Sequence, residues 1–276
     1  LNPKFLMKYL KYSLLVLSLL FLSLNFIDYN IVEDDEPLLL NEKFDASLLK
    51  LNSLQKLETY VDSIAEVKKI PQGSLGYAIL AKNVISDRFY HKYATQNLDE
   101  NWIASVAQKT TGLFLSSKIT ADDILTRPYG YCGQQNMVLF ELLEDKGLNC
   151  RVVFWPKHFA IQSYIDGKWT YFDSNLEPVI ADEQRVNEKW LHSPDSLAIA
   201  YNKDSKWVST TFGNPVKIKY GKIDEKPGAH ALLFQKITKV LSRIAFLFPL
   251  LWFVYLNRKK TNTCNLPLQA NYPPQE

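Results

Sequence analysis

The stretch Gly130–Pro178, GYCGQQNMVLFELLEDKGLNCRVVFWPKHFAIQSYIDGKWTYFDSNLEP, decides how this chain is read. Its centre is Asp166-Gly167, set between the β-rich runs FAIQSYI and KWTYF. A two-residue Asp-Gly loop predicts a hairpin in which Ile165 pairs with Lys168 and every pair further out keeps the same index sum. Ala160 then faces Asp173. Side chains alternate along a strand, so His158 and Ala160 share a face, and Asp173 becomes a diagonal cross-strand neighbour of His158. The register itself is expected to bring an imidazole and a carboxylate together.

Upstream of the hairpin, Cys132 opens a helical segment that ends at Lys146-Gly147, with Gly147 in the place of a C-terminal glycine cap. Met137, Phe140 and Leu143, with Val138 and Leu139, make it a buried helix. Cys150 to Trp155 reads as a strand and Pro156-Lys157 as a turn. The fold class is therefore α+β, a central helix packed on an antiparallel sheet. Further upstream, Leu51, Leu54, Leu57, Val61, Ile64 and Ala65 recur at helical spacing between Asp45 and Lys69. Pro71-Gln72-Gly73 ends that helix and Ser74 can cap the next. A third helix is expected from Leu98 to Lys109, with Trp102, Ile103 and Val106 on one stripe. Beyond Pro178 the pattern suggests a helix near Asp182 to Leu191 and short strands near Trp207 and Lys217.

At 276 residues, 47% hydrophobic and 22% charged, the chain can bury one good-sized core. A net charge of +3 with no dense basic stripe speaks against a nucleic-acid partner. The charge is informative by its place. Ser13–Ile27, SLLVLSLLFLSLNFI, follows Lys4, Lys8 and Lys11 and reads as a signal peptide or a signal anchor. Ser23-Leu24-Asn25 is a poor cleavage site, which favours an anchor. A second apolar run, Ile244–Leu256, is closed by Asn257, Arg258, Lys259 and Lys260, with Trp252 and Tyr255 near its basic end. Both runs are shorter than the ~20 residues a span needs. Snorkelling of Lys239 and Arg243 would extend the second back to about Ile237. The positive-inside rule places both termini in the cytoplasm and everything between Asp28 and Lys236 outside. The acidic stretch Val32–Pro37 reads as a solvated spacer without the ligand spacing of a Ca²⁺ loop.

Cys132, His158 and Asp173 carry the candidate chemistry. The nucleophile of a cysteine enzyme is the thiolate, which a helix N-terminus and a neighbouring histidine both favour. His158 would exchange the proton, and Asp173 would hold the imidazole in the right tautomer. N–H groups at the start of the Cys132 helix are natural donors to an oxyanion, with Trp102, Gln108 and Gln134, and also Gln135, as side-chain candidates. The rival reading bridges Cys132 to Cys150, since Cys264 would lie on the reducing side of the second span. A Zn²⁺ site from Cys132, Cys150 and His158 lacks paired CxxC spacing. His91, His192 and His230 read as ordinary surface or core residues.

The quoted stretch resembles the core of the transglutaminase-like superfamily, papain-like in fold: a Cys at a helix start, a helix ending in Gly, a strand with a basic residue (Arg151), a His, a turn, a Trp and an Asp. The segment with Trp102 resembles what precedes the cysteine in bacterial members, so the resemblance covers about Trp102 to Pro178. It implies a nucleophile at Cys132, a base at His158 and an orienting acid at Asp173, acting on a protein or peptide-like substrate without a cofactor or metal. Gly133 stands where animal transglutaminases have Trp, which speaks against Ca²⁺-dependent crosslinking and leaves water as a possible acceptor. Two functional expectations result, beside a third in which the enzyme is secreted after loss of its N-terminal run. One is a membrane-anchored extracytoplasmic (periplasmic) enzyme that cleaves or transfers an amide or peptide acyl group through a Cys132 thioester. The other is an inactive binding or assembly module with Cys132 and Cys150 bridged. The expected division is a cytoplasmic tip and anchor at 1–27, a helical region at 28–97, the catalytic domain at 98–236, a second span at 237–257 and a cytoplasmic tail at 258–276. The sequence sets no oligomeric state.

Overall fold

The computed structural model describes residues 3–31 and 43–262, so Cys264 and the acidic stretch from Val32 to Pro37 lie outside the described residues. In chain order the elements are α1 (Pro3–Ser23), α2 (Leu54–Lys68), α3 (Leu75–Arg88), α4 (Leu98–Thr111), α5 (Ala121–Leu125), α6 (Cys132–Asp145), β1 (Cys150–Phe154), β2 (Phe159–Ile165), β3 (Lys168–Phe172), α7 (Pro194–Tyr201), α8 (Ser205–Thr211), β4 (Lys219–Tyr220), α9 (Ala229–Ile244) and α10 (Leu247–Asn262). They sort into two compact units. The smaller draws on the described residues of Leu1–Val32, Gln96–Ser116 and Leu233–Glu276, the larger on those of Glu33–Thr95 and Ser117–Leu232.

The larger unit is α+β, built on a four-stranded antiparallel sheet in the order β3-β2-β1-β4. The hairpin has the expected register, from Ile165 opposite Lys168 to Ile161 opposite Phe172. Asp166 at φ 50° and Gly167 at φ 77° both take positive φ, the conformation of the type I′ turn whose twist matches the strands. Alternation along the strands gives the sheet two buried faces. Cys150, Val152, Ile161, Ile165 and Phe172 join Met137, Val138, Phe140 and the apolar face of α3 in one cluster. Val153, Ala160 and Tyr171 join Leu197, Tyr201, Val208 and Phe212 in the other. Residues after Pro178 differ from expectation. Trp207 lies in α8, whose start is capped by Asp204 accepting from the Trp207 N–H at 2.7 Å, while the strand expected near Lys217 is β4. The helix expected at Asp182 to Leu191 is two 3₁₀ turns, because Asn187 is extended and its side chain caps the second turn.

In the smaller unit, Phe5–Phe26 is long and apolar enough to cross a membrane, while α9 and α10 pass the same criterion only together, bent by 40°. The continuous second helix expected from about Ile237 is thus broken at Ala245-Phe246. Pro249 has no N–H for the Ala245 carbonyl, which accepts from Phe248 at 3.2 Å instead. α10 runs antiparallel to α1, since Ser18 Oγ donates to Phe246 O at 2.8 Å and Lys11 Nζ reaches Asn257 Oδ1. Along α9 the usual polarity is inverted. Gln235, Thr238 and Ser242 are buried, bonded to Gln96, Asn101 and Trp102, whereas Leu233, Ile237, Val240, Leu241 and Ile244 are exposed. These polar bonds draw 96–116 into this unit, so that segment does not cluster with the rest of 98–236. Residues 43–95, within the expected helical region, supply core to the sheet-bearing unit through Leu57, Val61, Tyr77, Ala81 and Ile85.

The hairpin turn is the cheapest place to test the register. A Cβ on Gly167 would meet nothing within 4 Å, so a side chain there costs only backbone strain. Gly167→Val should destabilise the fold by about 1–2 kcal/mol, and Gly167→Asn by less. Thermal unfolding followed by circular dichroism measures both. Identical melting of Gly167→Val and the parent would contradict the turn's role.

Candidate active site

Cys132 is the first residue of α6. That helix start is fixed from outside the helix. The Gln134 side chain accepts from the N–H of Tyr131 at 3.1 Å and of Ala94 at 2.9 Å, and donates to the carbonyls of Ala94 at 2.6 Å and Lys118 at 3.0 Å. Gln135 Nε2 donates to Gly130 O at 2.8 Å. His158 follows the Pro156-Lys157 turn, which is closed by the Trp155 N–H donating to His158 O at 2.9 Å. Asp173 lies one residue beyond β3, directly after Phe172, which pairs with Ile161.

These three residues meet. His158 Nε2 is 2.6 Å from Asp173 Oδ2, and Cys132 lies close enough to the imidazole to raise its proton affinity. With Nε2 committed to the carboxylate, Nδ1 is the nitrogen left to exchange a proton with a thiol. All three side chains are buried, Asp173 to 1% exposure. Its Oδ1 accepts from the N–H groups of Asn175 and Leu176, each at 3.0 Å, and from Asn136 Nδ2 at 3.2 Å. Its Oδ2 has the Tyr171 and Tyr201 hydroxyls at 3.3 Å each. Burial alone would raise the Asp173 carboxyl, but the charge and hydrogen bond of His158 and the two N–H groups hold it below the ordinary value. Burial works against the imidazolium too. The charge and hydrogen bond of Asp173, with those of Cys132, nevertheless raise His158 to about 10. Trp155 and Phe212 wall the imidazole, with ring centroids 5.8 and 4.9 Å away.

Both cysteines of the larger unit are free. The Cys150 sulfur turns to Leu148 O and Ser163 Oγ, at 3.6 and 3.5 Å, and not to Cys132, so the expected alternative of a Cys132–Cys150 bridge does not describe this structure. Burial pushes its thiol up to about 12. The side-chain oxyanion candidates are also committed elsewhere. Gln134 and Gln135 are bound to backbone as above, Trp102 Nε1 donates to Ser242 O at 3.1 Å, and Gln108 accepts from Ser116. Trp102 and Gln108 belong to the smaller unit. What remains at the start of α6 is the N–H of Cys132 and of Gly133, for which a helix offers no carbonyl.

Sequence reasoning missed Asn136, Tyr171, Tyr201 and Phe212. Asn136 is fully buried, one turn after Cys132, and its Nδ2 reaches Cys132 O, Phe159 O and Asp173 Oδ1 while its Oδ1 accepts from the Ser174 N–H. An amide one turn after the cysteine, just before the apolar run Met137 to Phe140, was the signal for it. Tyr171 shares the face of Asp173, two residues away. His91, read as an ordinary residue, bonds Asn175 at 2.8 Å and lies 4.6 Å from the Tyr131 ring. Among the described residues no His, Cys, Asp and Glu side chains group as metal ligands would.

No protein-family model matches this chain, and no curated protein or solved structure does either.

The raised His158 and lowered Asp173 fix a pH dependence of stability. A group raised from 6.5 to about 10 in the fold contributes fully below 6.5, and its contribution is lost as pH rises towards about 10. Asp173 contributes above its unfolded value of 3.8, and that share disappears as pH falls through its lowered native value. The melting temperature of the parent should therefore fall relative to His158→Gln as pH is raised across the first window. Parallel curves for the two proteins would rule out the ion pair.

Proposed function

We propose that this chain is a membrane-anchored, extracytoplasmic cysteine enzyme of the transglutaminase-like, papain-like type that transfers or hydrolyses an amide or peptide acyl group. The observation that carries the reading is the imidazole of His158, held by Asp173 at 2.6 Å on Nε2, with Cys132 at the start of α6 close enough to raise its proton affinity. In the proposed reaction His158 takes the thiol proton at Nδ1 and the Cys132 sulfur attacks the carbonyl carbon. The tetrahedral oxyanion is met by the N–H groups of Cys132 and Gly133 at the positive end of α6. Collapse expels the amine, which leaves with the proton from His158, and a thioester remains on Cys132. Water or a second amine, deprotonated by the same imidazole, then releases the acyl group and restores the thiol. Peptidase, amidase and transferase share the first half of this sequence, so the acceptor sets the class.

The test is labelling by an electrophilic peptide-like probe. Parent protein should be labelled at one site, Cys132→Ala not at all, and His158→Gln and Asp173→Asn about 10³-fold more slowly. Equal labelling of Cys132→Ala would remove the proposal.

The membrane placement draws on a different set of observations. α1 is apolar and long enough to span, and the antiparallel α1 and α10 bring Lys8, Lys11 and Arg258 to one end, the arrangement the positive-inside rule assigns to the cytoplasm. The exposed apolar stripe of α9 and the exposed Phe248, Leu251 and Trp252 of α10 fit lipid as their surroundings. Alkaline carbonate should leave the chain in the membrane pellet. Protease added from outside should cut within 43–228 and spare an N-terminal tag. Release by carbonate, or protection of 43–228, would overturn the topology.

A further inference from the structure

One oxygen of Asp173 serves more than the imidazole. Oδ1 is fully used in anchoring the carboxylate, by Asn175 N–H, Leu176 N–H and Asn136 Nδ2. Oδ2 takes His158 Nε2 at 2.6 Å and lies 3.3 Å from each of two phenolic oxygens, which are themselves 2.8 Å apart. The protons can be counted. Each phenol has one, and the short contact between Tyr171 and Tyr201 consumes one of the two. The other is directed to Oδ2. A carboxylate oxygen has about two lone-pair sites, so the imidazole and one phenol divide this oxygen between them.

Packing does not call for these hydroxyls. Tyr171 and Tyr201 are buried among Trp190, Trp155, Trp207 and Phe212, where a phenylalanine would fill the same space. Burying two hydroxyls is unfavourable unless each is bonded, and the partner they converge on is Asp173. We infer that the Tyr171–Tyr201 pair is a positioning device for His158, sharing Oδ2 of Asp173 and so weakening the grip of the carboxylate on the imidazolium. The inference rests on the proposed catalytic reading for its purpose, which is a ring that can give up its proton to the leaving amine.

The direction of the effect follows from which state needs the phenols more. When His158 is protonated, Asp173 has a counter-charge; when it is neutral, the buried carboxylate depends on its hydrogen bonds alone. Donors on Oδ2 thus favour neutral imidazole, and removing them makes the ring more basic. The other titratable groups around the pair are Cys132 from α6, and Glu177, whose charge acts on Tyr201 from the loop after Asp173. Glu177 is itself paired with Lys82 and Arg185. Neither changes in the test.

The chain has four histidines, His91, His158, His192 and His230, so ¹³C-histidine labelling of the full-length protein in detergent gives a spectrum that His158→Gln assigns. Tyr201→Phe leaves Tyr171 to donate to Oδ2 without the polarisation that the second phenol adds and should raise the proton affinity of His158 about threefold. Tyr171→Phe with Tyr201→Phe removes both donors and should raise it about tenfold, while the other three signals hold their positions. An unshifted or lowered midpoint in Tyr201→Phe would overturn the inference. If the double variant does not fold, the single one still decides. The titration needs no turnover, so an inert protein leaves the test intact, and an unshifted midpoint leaves the labelling of Cys132 untouched.

Discussion

A carboxylate buried to 1% exposure is the constraint on which the larger unit depends. Left unpaired in a protein interior, such a charge would cost several kcal/mol, enough to threaten a domain of marginal stability. Asp173 is instead met from every side. His158 comes from the turn before β2, Tyr171 from β3, Asn136 from α6, Tyr201 from the end of α7, and two N–H groups from its own downstream backbone. Bringing these groups to one point requires the hairpin, the central helix and the α7 segment to be placed together. The site and the packing of the unit are therefore one construction.

Asn136 shows how tightly the parts are tied. Its two amide protons face three acceptors, at 2.9, 3.0 and 3.2 Å, and its carbonyl oxygen receives the Ser174 N–H at 2.8 Å. One side chain thus joins the first turn of α6, the start of β2 and the segment leaving Asp173. That segment is pinned again three residues on from Ser174, where Glu177 is gripped by Lys82 of α3 at 2.6 Å and by Arg185. Loss of a partner here would leave a buried donor or charge unsatisfied, which is more damaging than loss of the packing alone.

The parts of this arrangement that were legible in the sequence are those set by short-range geometry. An Asp-Gly loop fixes a register, and the register fixes the approach of His158 to Asp173. A helix beginning at Cys132 was marked by the glycine after its far end. Contacts made across long separations left no such mark. Tyr201 is 28 residues from Asp173 and Phe212 is 54 from His158, and nothing periodic points from one to the other. The oxyanion candidates went astray for a related reason. Composition shows that Gln134 is a polar residue near a cysteine, but only the fold reveals that the backbone of Ala94 and Lys118 occupies it. Trp102 and Gln108 were read by their nearness in sequence, whereas the polar face of α9 holds their segment in the other unit.

On the proposed topology the two thiols of the larger unit face an oxidising compartment, where a pair of cysteines ordinarily bridges. Exchange chemistry requires a thiolate on one partner and access to the other. Cys150 offers neither. It is fully buried on β1, its sulfur is turned to Ser163, and burial keeps it a thiol up to about 12. Cys132 has the imidazole beside it and the open end of a helix behind it. On the proposed reading the sheet thus withholds one of two chemically identical side chains, and it does so by burial on a central strand rather than by distance along the chain. If Cys132 is the nucleophile, as proposed, the placement of Cys150 in the core of the sheet withholds the unit's other thiol from it.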